Sequence, residues 1–405
     1  MRGTVSTQVF TRREVLGLGA AASTLVVFRP GPAGALAAAP GNLDAYIREQ
    51  MLAGHIPGLS VSVVKPGGAI WSRGYGWANI AQGRRATSRT PFMLASVSKT
   101  VVGVAVMQAV EDGLLDLEAD VADTLAFPVN NPEFPDDPIT TRMLLTHTST
   151  ISDNWDVLTR AYVEGDSPVS LGDFLRAYFT PGARWYDAER NFLSSHPGLR
   201  YRYCNVAVSL AAYLVEAASG TPFDAWCEER IFVPLGMEET SWHLAGFRSR
   251  DVAMPYHYVA TDDRYQALGQ YGYPDYPDGQ LRTNADALAR FLLAFIRGGE
   301  LDGARILEEA TVREMRRSQV PDEIAGQGLI WYVLHRGGER FWGHNGGDAG
   351  VSTQMFFRPT DGTGVITLSN GDWRRSGNTW PLSLIMDRLF AAADRLDGHE
   401  IEHAM

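Results

Sequence analysis

Ser96-Val97-Ser98-Lys99-Thr100-Val101-Val102-Gly103-Val104-Ala105-Val106-Met107 is the stretch that decides how this chain is read. Its spacing predicts one helix over 96–112, apolar on nearly every side after the first turn, with Gly113 where helices commonly stop. A helix that is apolar all round is a buried one. Residues three apart share a helix face, which brings Ser96 and Lys99 within hydrogen-bonding reach. A serine hydroxyl is a poor nucleophile until a neighbour takes its proton. A buried lysine, whose charge is costly, is able to be that neighbour. The helix N-terminus adds partial positive charge where an acyl oxyanion would form. The plain alternative is a Ser N-cap followed by a surface Lys, but this helix is too apolar for a surface. Ser96 is read as the nucleophile and Lys99 as its activator.

Outward from that helix, the pattern changes at both ends of the chain. An amphipathic helix over 42–53 precedes a short β-branched strand, 59–64. Pro66-Gly67-Gly68 turns the chain, and 69–75 returns as the second strand of a hairpin. From about 120 to 295 the chain reads as helical with long loops, including helices over 209–218 and 285–297. Three strands follow, over 329–336, 341–357 and 364–370, and a closing helix over 380–396. Strands at both ends with helices between them predict an α+β sandwich. One antiparallel sheet of about five strands is built from 40–115 and 300–395 and covered by the first and last helices. A mostly helical subdomain, 116–299, is inserted, and 396–405 is a polar tail. The loop 253–280 carries six tyrosines, which with Trp155, Tyr162 and Trp185 either wall a cleft or pack the helical part.

The first 39 residues read differently. Thr11-Arg12-Arg13-Glu14-Val15-Leu16 is a twin-arginine pattern, followed by a short Ala/Gly-rich apolar run and a small-residue segment, 33–39. That is the layout of a signal peptide, and the run is too short for a stable span. The expectation is a periplasmic or secreted protein without a stable membrane anchor. The net charge of -11 argues against nucleic acid, which needs clustered Lys and Arg. Cys204 and Cys227 are two cysteines only, too few for a disulfide scaffold, and are expected as buried thiols. The nine histidines are scattered, with no H-E-x-x-H, so neither a metal nor another cofactor is implied.

Two further motifs follow the serine in order. Tyr203-Cys204-Asn205 precedes a helix over 206–218. A tyrosine near cations can act as a base, and an Asn amide can orient a carbonyl. Gly343-His344-Asn345-Gly346-Gly347 opens a β-branched strand, and its glycines allow a backbone to approach a substrate closely.

Together these motifs resemble the serine β-lactamase and penicillin-binding protein family. The nearest patterns are its class C-like branch, including β-lactamase-like esterases and D-amino-acid peptidases and amidases. S-x-x-K, Y-x-N and an H-x-G form of the third motif match Ser96/Lys99, Tyr203/Asn205 and His344/Gly346. Met143-Leu144-Leu145-Thr146-His147-Thr148-Ser149 and Gly347-Asp348-Ala349-Gly350 also look like the family. The resemblance implies that Ser96 is acylated and that Lys99 and Tyr203 share general acid–base work. It implies that Asn205 holds the substrate carbonyl or the Lys99 ammonium. The N–H groups of Ser96 and Gly347 would form the oxyanion hole, with His344, Asn345 and Gly346 lining the substrate site.

The chain departs from the pattern twice. Ser149-Thr150 stands where relatives commonly have Ser-Gly, and His344 stands where many carry Lys. A neutral imidazole cannot pair with a substrate carboxylate, which favours esters, amides or peptides engaged at the amine end. The expected partner is a small-molecule or peptide substrate, with oligomeric state left open. The alternatives are a true class C-like β-lactamase or DD-carboxypeptidase, and a non-catalytic scaffold or binding protein of the same fold.

Overall fold

The computed structural model describes residues 42–68, 70–248, 251–320, 326–372 and 380–395. The expected leader, 1–39, and the polar tail, 396–405, lie outside the described residues.

Asn42 caps the first helix, α1 (Leu43–Ala53), by accepting from the Asp44 N–H at 2.9 Å. Strands β1 (Gly58–Val64), β2 (Ile70–Asn79) and the two-residue β3 (Arg84–Arg85) follow. After α2 (Lys99–Glu111), the middle of the chain is mostly helical, with α3 (Asn205–Ser219) and α4 (Ala285–Ile296) its longest pieces. Four strands then run β4 (Tyr332–Arg336), β5 (Glu339–Asp348), β6 (Val351–Phe357) and β7 (Gly364–Ser369), and α5 (Trp380–Ala393) closes the fold.

The α+β reading holds, and both ends of the chain build one antiparallel sheet. It has seven strands rather than about five, in the order β4-β5-β6-β7-β1-β2-β3. Two differences account for the count. The run 341–357 is a hairpin, because Gly350 adopts φ +66 and turns the chain after Asp348. Both strands are largely buried on the sheet and read as one. The strand at Arg84 is too short and polar to leave a pattern.

Strand alternation divides the core. Leu59, Val61 and Val63 of β1 face α1 and α5 and pack with Ile47, Ile385 and Leu389. The opposite face packs on α4 through Ile366, Leu368, Leu292 and Phe295. Helix α4 thus lies against the sheet although its sequence belongs to the helical insertion, since its apolar face matches this side of the sheet. Helix α2 is buried along nearly its whole length, as its all-round apolar character requires, and packs on α3. It does not begin at Ser96. A 3₁₀ turn, Ala95–Ser98, leads into it. Cys204 and Cys227 are buried free thiols. Among the described residues no single helix is long and apolar enough to cross a membrane.

Candidate active site

The turn that carries Ser96 is held from two sides. Leu94 N–H donates to the Leu281 carbonyl at 2.8 Å, and Leu281 N–H donates to Ser98 Oγ at 3.2 Å. On the other side, Thr353 Oγ1 of β6 donates to the Leu94 carbonyl at 2.5 Å. Ala95 is driven to φ +47, a left-handed conformation uncommon for Ala. These restraints leave Ser96 half-buried while Val97, Ser98 and Lys99 are buried. Lys99 Nζ donates to Ser96 Oγ at 3.1 Å and to the Asp278 carbonyl at 2.6 Å. The reach expected from i, i+3 spacing is met.

Tyr203 comes from the loop before α3. The T-H-T segment fixes that loop: His147 O accepts from Arg202 N–H at 2.7 Å, and Thr148 O from Gly198 N–H at 2.8 Å. The Tyr203 ring lies 5.2 Å from Lys99 Nζ and 4.4 Å from the His147 ring. Its hydroxyl is buried without a hydrogen bond of good geometry. It nonetheless faces Ser96 and Lys99 closely enough that both favour its ionised form. Thr150 explains the missing Gly: its φ is +66, where Gly is the usual residue, so this chain carries a β-branched side chain in a strained conformation. Its Oγ1 accepts from Asn131 Nδ2 at 3.0 Å.

Asn205 has one partner that the sequence does not suggest. Its Nδ2 donates to Asp153 Oδ2 at 2.9 Å, while Lys99 donates to Ser96 and Asp278. Asp153 also accepts from the Asn205 N–H at 2.8 Å and the Val206 N–H at 3.1 Å, capping α3. Sequence reasoning missed Asp153 because it lies 52 residues before the helix it caps.

Strand β5 brings the third motif alongside. Gly346 sits against the nucleophile turn: a Cβ there would lie 2.4 Å from the Leu94 carbonyl oxygen and 2.9 Å from Ser96 N. Only Gly permits that approach. Gly347 pairs with Ser352 one residue further on. Asn345 Oδ1 accepts from the Tyr332 hydroxyl at 2.9 Å. His344 is buried, and its Nδ1–H donates to the Asn345 carbonyl at 2.6 Å. Burial, then the Lys99 charge, push its pKa down to about 3, so the imidazole is neutral at physiological pH.

The tyrosine loop packs rather than walls a cleft. Tyr271 and Tyr273 form a buried cluster with Ala95 and Val351, with Tyr162 packed against it. Tyr162 and Tyr273 hydroxyls both donate to Asp348. Trp155 and Trp185 pack against the main core. The same loop supplies a residue that the sequence reading did not single out, Asp278. Burial raises its carboxyl pKa to about 7, although Lys99 draws it down. Tyr203 also has a raised pKa, chiefly through burial. For Lys99, burial opposes the charge, but Tyr203 and Asp278 outweigh it and the pKa is raised. Three buried polar atoms lack partners here: Tyr203 Oη, His147 Nε2 and Asp278 Oδ1. Orphans gathered at one place mark a site that substrate or solvent completes.

A serine–lysine pair at the head of a buried helix, pressed against a strand of an antiparallel sheet, places Ser96 at the sheet–helix junction of this α+β fold. The sequence profile described as Beta-lactamase matches residues 43–381, and the chain belongs to the beta-lactamase family. It is 27% identical over 331 residues to penicillin-binding protein 4* of Bacillus subtilis strain 168, covering 77% of this chain and 67% of that protein. It is 22% identical over 250 residues to protein flp of Staphylococcus aureus strain MW2, covering 62% of this chain. The chain spans about half the length of the flp proteins, 47%. Among solved structures it resembles the octameric penicillin-binding protein homologue from Pyrococcus abyssi. There the TM-score is 0.69 and the identity 25%, over 88% of this chain and 78% of that one. The D-amino acid amidase from Ochrobactrum anthropi SV3 shares the fold, with TM-score 0.66 and 20% identity over 88% of this chain and 99% of that one.

Proposed function

We propose that this protein is an exported serine hydrolase that cleaves esters or amides, peptides included, through an acyl-Ser96 intermediate. The observation that carries the reading is the 3.1 Å contact from Lys99 Nζ to Ser96 Oγ beside the Tyr203 hydroxyl. The export part rests on the twin-arginine leader alone.

The chemistry follows from the groups present. Ser96 Oγ attacks the substrate carbonyl as its proton passes to the Lys99–Tyr203 pair. The developing oxyanion is met by the Ser96 and Gly347 N–H groups, at the end of the strand that Gly346 allows to approach. The pair returns the proton to the leaving alcohol or amine, and water then releases the acyl group by the reverse sequence. Both members of the pair have raised pKa values, so the resting site holds an ammonium and a neutral phenol. One proton must leave before the pair acts as a base.

A neutral His344 offers no cation for a substrate carboxylate, which supports ester or amide substrates over classical β-lactams. The test is labelling by a fluorophosphonate probe together with turnover of short p-nitrophenyl esters. Ser96→Ala should abolish both, and Tyr203→Phe should lower kcat by about 10²–10⁴-fold. Full ester turnover by Ser96→Ala would sink the assignment. Rapid nitrocefin hydrolysis without ester turnover would favour the β-lactamase alternative.

A further inference from the structure

His147 is buried against Tyr203, and the acyl-serine mechanism assigns it no work. It is 2% exposed and sits at φ +59 in the T-H-T segment. It grips the loop that carries Tyr203 twice. Its carbonyl accepts from the Arg202 N–H at 2.7 Å, and its ring Nδ1 accepts from the Cys204 N–H at 3.3 Å. A backbone N–H can only donate, so Nδ1 holds a lone pair and the ring proton is on Nε2. Burial, then the Lys99 charge, keep the ring neutral, which preserves this tautomer. The Nε2–H is therefore a buried donor without a partner. Such donors are rare, because an unmet one forfeits its hydration without return. Nearby hydroxyls are spent: Thr146 and Thr148 Oγ1 bond each other at 2.9 Å, and Tyr332 Oη donates to Asn345. Tyr203 differs. Its ring packs on His147 with centroids 4.4 Å apart, and its Oη lacks a hydrogen bond of good geometry.

We propose that His147 is a positioning residue for Tyr203: its Nε2–H donates to the Tyr203 oxygen when the phenol has lost its proton, and so favours the ionised form that acts as base. This rests on the acyl-Ser96 reading. The phenol O–H breaks and its proton goes to solvent, while His147 keeps its own proton throughout. A fixed donor gains little from a neutral hydroxyl and much from a phenolate, so its effect falls on the ionised state. The other groups facing Tyr203 act as follows. Lys99 of α2 and Ser96 favour its ionised form, and Asp278 of the tyrosine loop opposes it. Tyr332 of β4 and Tyr201 of its own loop have raised pKa values and stay neutral. His344 of β5 has its ring 6.2 Å away and is neutral too.

Two variants separate the two ends of the ring. Asn puts an acceptor where Nδ1 stands and suits a left-handed residue, but it lacks the far donor. Gln puts an amide N–H near Nε2 and gives up the Cys204 contact. His147→Asn should move the alkaline rise of kcat/KM for p-nitrophenyl propionate upward by about one to two pH units. At neutral pH that is a loss of about 10- to 100-fold, which fades as pH rises through the displaced limb. His147→Gln should keep the wild-type rise, even where thermal unfolding shows it to be the less stable variant. A second measurement needs no turnover: ultraviolet difference absorbance between each protein and its Tyr203→Phe counterpart reads the ionisation of Tyr203 and should show the same displacement. Three results would overturn the proposal: a wild-type rise in His147→Asn, an equal displacement in His147→Gln, or a loss in His147→Asn that is the same at every pH. If the wild type neither turns over the ester nor takes up fluorophosphonate, it is the acyl-Ser96 reading that fails, and the difference absorbance still decides whether His147 acts on Tyr203.

Discussion

Gly346→Ala tests whether the junction between β5 and the nucleophile turn is where reaction occurs. A Cβ at this position would sit 2.4 Å from both the Leu94 carbonyl oxygen and Thr353 Oγ1, and 2.9 Å from Ser96 N. Ordinary contact begins at 3.4 Å, so the first two must each retreat by about 1 Å. Neither is the loose end of a long side chain. The Leu94 carbonyl is backbone at the head of the nucleophile turn, and Thr353 Oγ1 is bonded to it at 2.5 Å. The crowding should cost about 1–3 kcal/mol of stability. Because the displaced backbone carries Ser96, a shift of about 1 Å should also cost about 10²-fold in kcat/KM. Gly364→Ala is the control. It crowds Val64 and Leu292 at the other end of the same sheet, at 2.7 and 2.8 Å, and should lower stability alone. Thermal unfolding gives the first quantity and p-nitrophenyl ester kinetics the second. A folded Gly346→Ala protein with kcat/KM within about threefold of wild type would show that this junction does not aim the reacting groups.

Raised pKa values at both Lys99 and Tyr203 mean that kcat/KM should climb from neutral into alkaline pH, and a profile flat between neutral and alkaline pH would contradict the proposed base. The Asp278 carboxyl is raised from 3.8 to about 7, so folding favours its protonated form. Its contribution to stability is complete below 3.8 and lost as pH rises through about 7. Asp278→Asn should therefore stabilise the protein above neutral pH by an amount on the order of a few kcal/mol, and not in acid, as read by denaturant unfolding at both. The same variant removes a charge that holds Lys99 protonated, and should move the alkaline rise toward neutral pH. Asp153→Ala leaves two N–H groups of α3 and the Asn205 amide without their acceptor. It should cost about 2 kcal/mol in chemical denaturation, and an unchanged unfolding midpoint would deny the cap its role.

Much of this site could be read from local sequence because its decisive contact is local. Ser96 and Lys99 are three residues apart, and one turn of helix suffices to join them. The all-round apolar character of 99–111 likewise predicts burial without knowledge of what covers it. Elsewhere local pattern misleads or is silent. The 341–357 run merges two strands because both are buried on the sheet and only Gly350 marks the turn. Thr150 reads as a departure from pattern, yet its φ shows that the backbone still makes the turn that a Gly would ease. The tyrosines of 253–280 are equally compatible with a cleft wall or a packed cluster. The hydroxyl partners of Tyr271 and Tyr273, the Ala349 carbonyl and Asp348, lie more than seventy residues on.

The class of fold, the chain order of three motifs and the approach of Lys99 to Ser96 could be read from the chain alone. Each follows from residue type and short-range spacing, which the helix period and strand alternation convert directly into geometry. Spatial packing was needed to know that Asn205 Nδ2 donates to Asp153, that burial holds His344 neutral, and that the Asp278 carbonyl accepts from Lys99. Those are matters of burial and of electrostatic fields between segments up to 179 residues apart. A charge's cost depends on what surrounds it in space, and no local pattern carries that information.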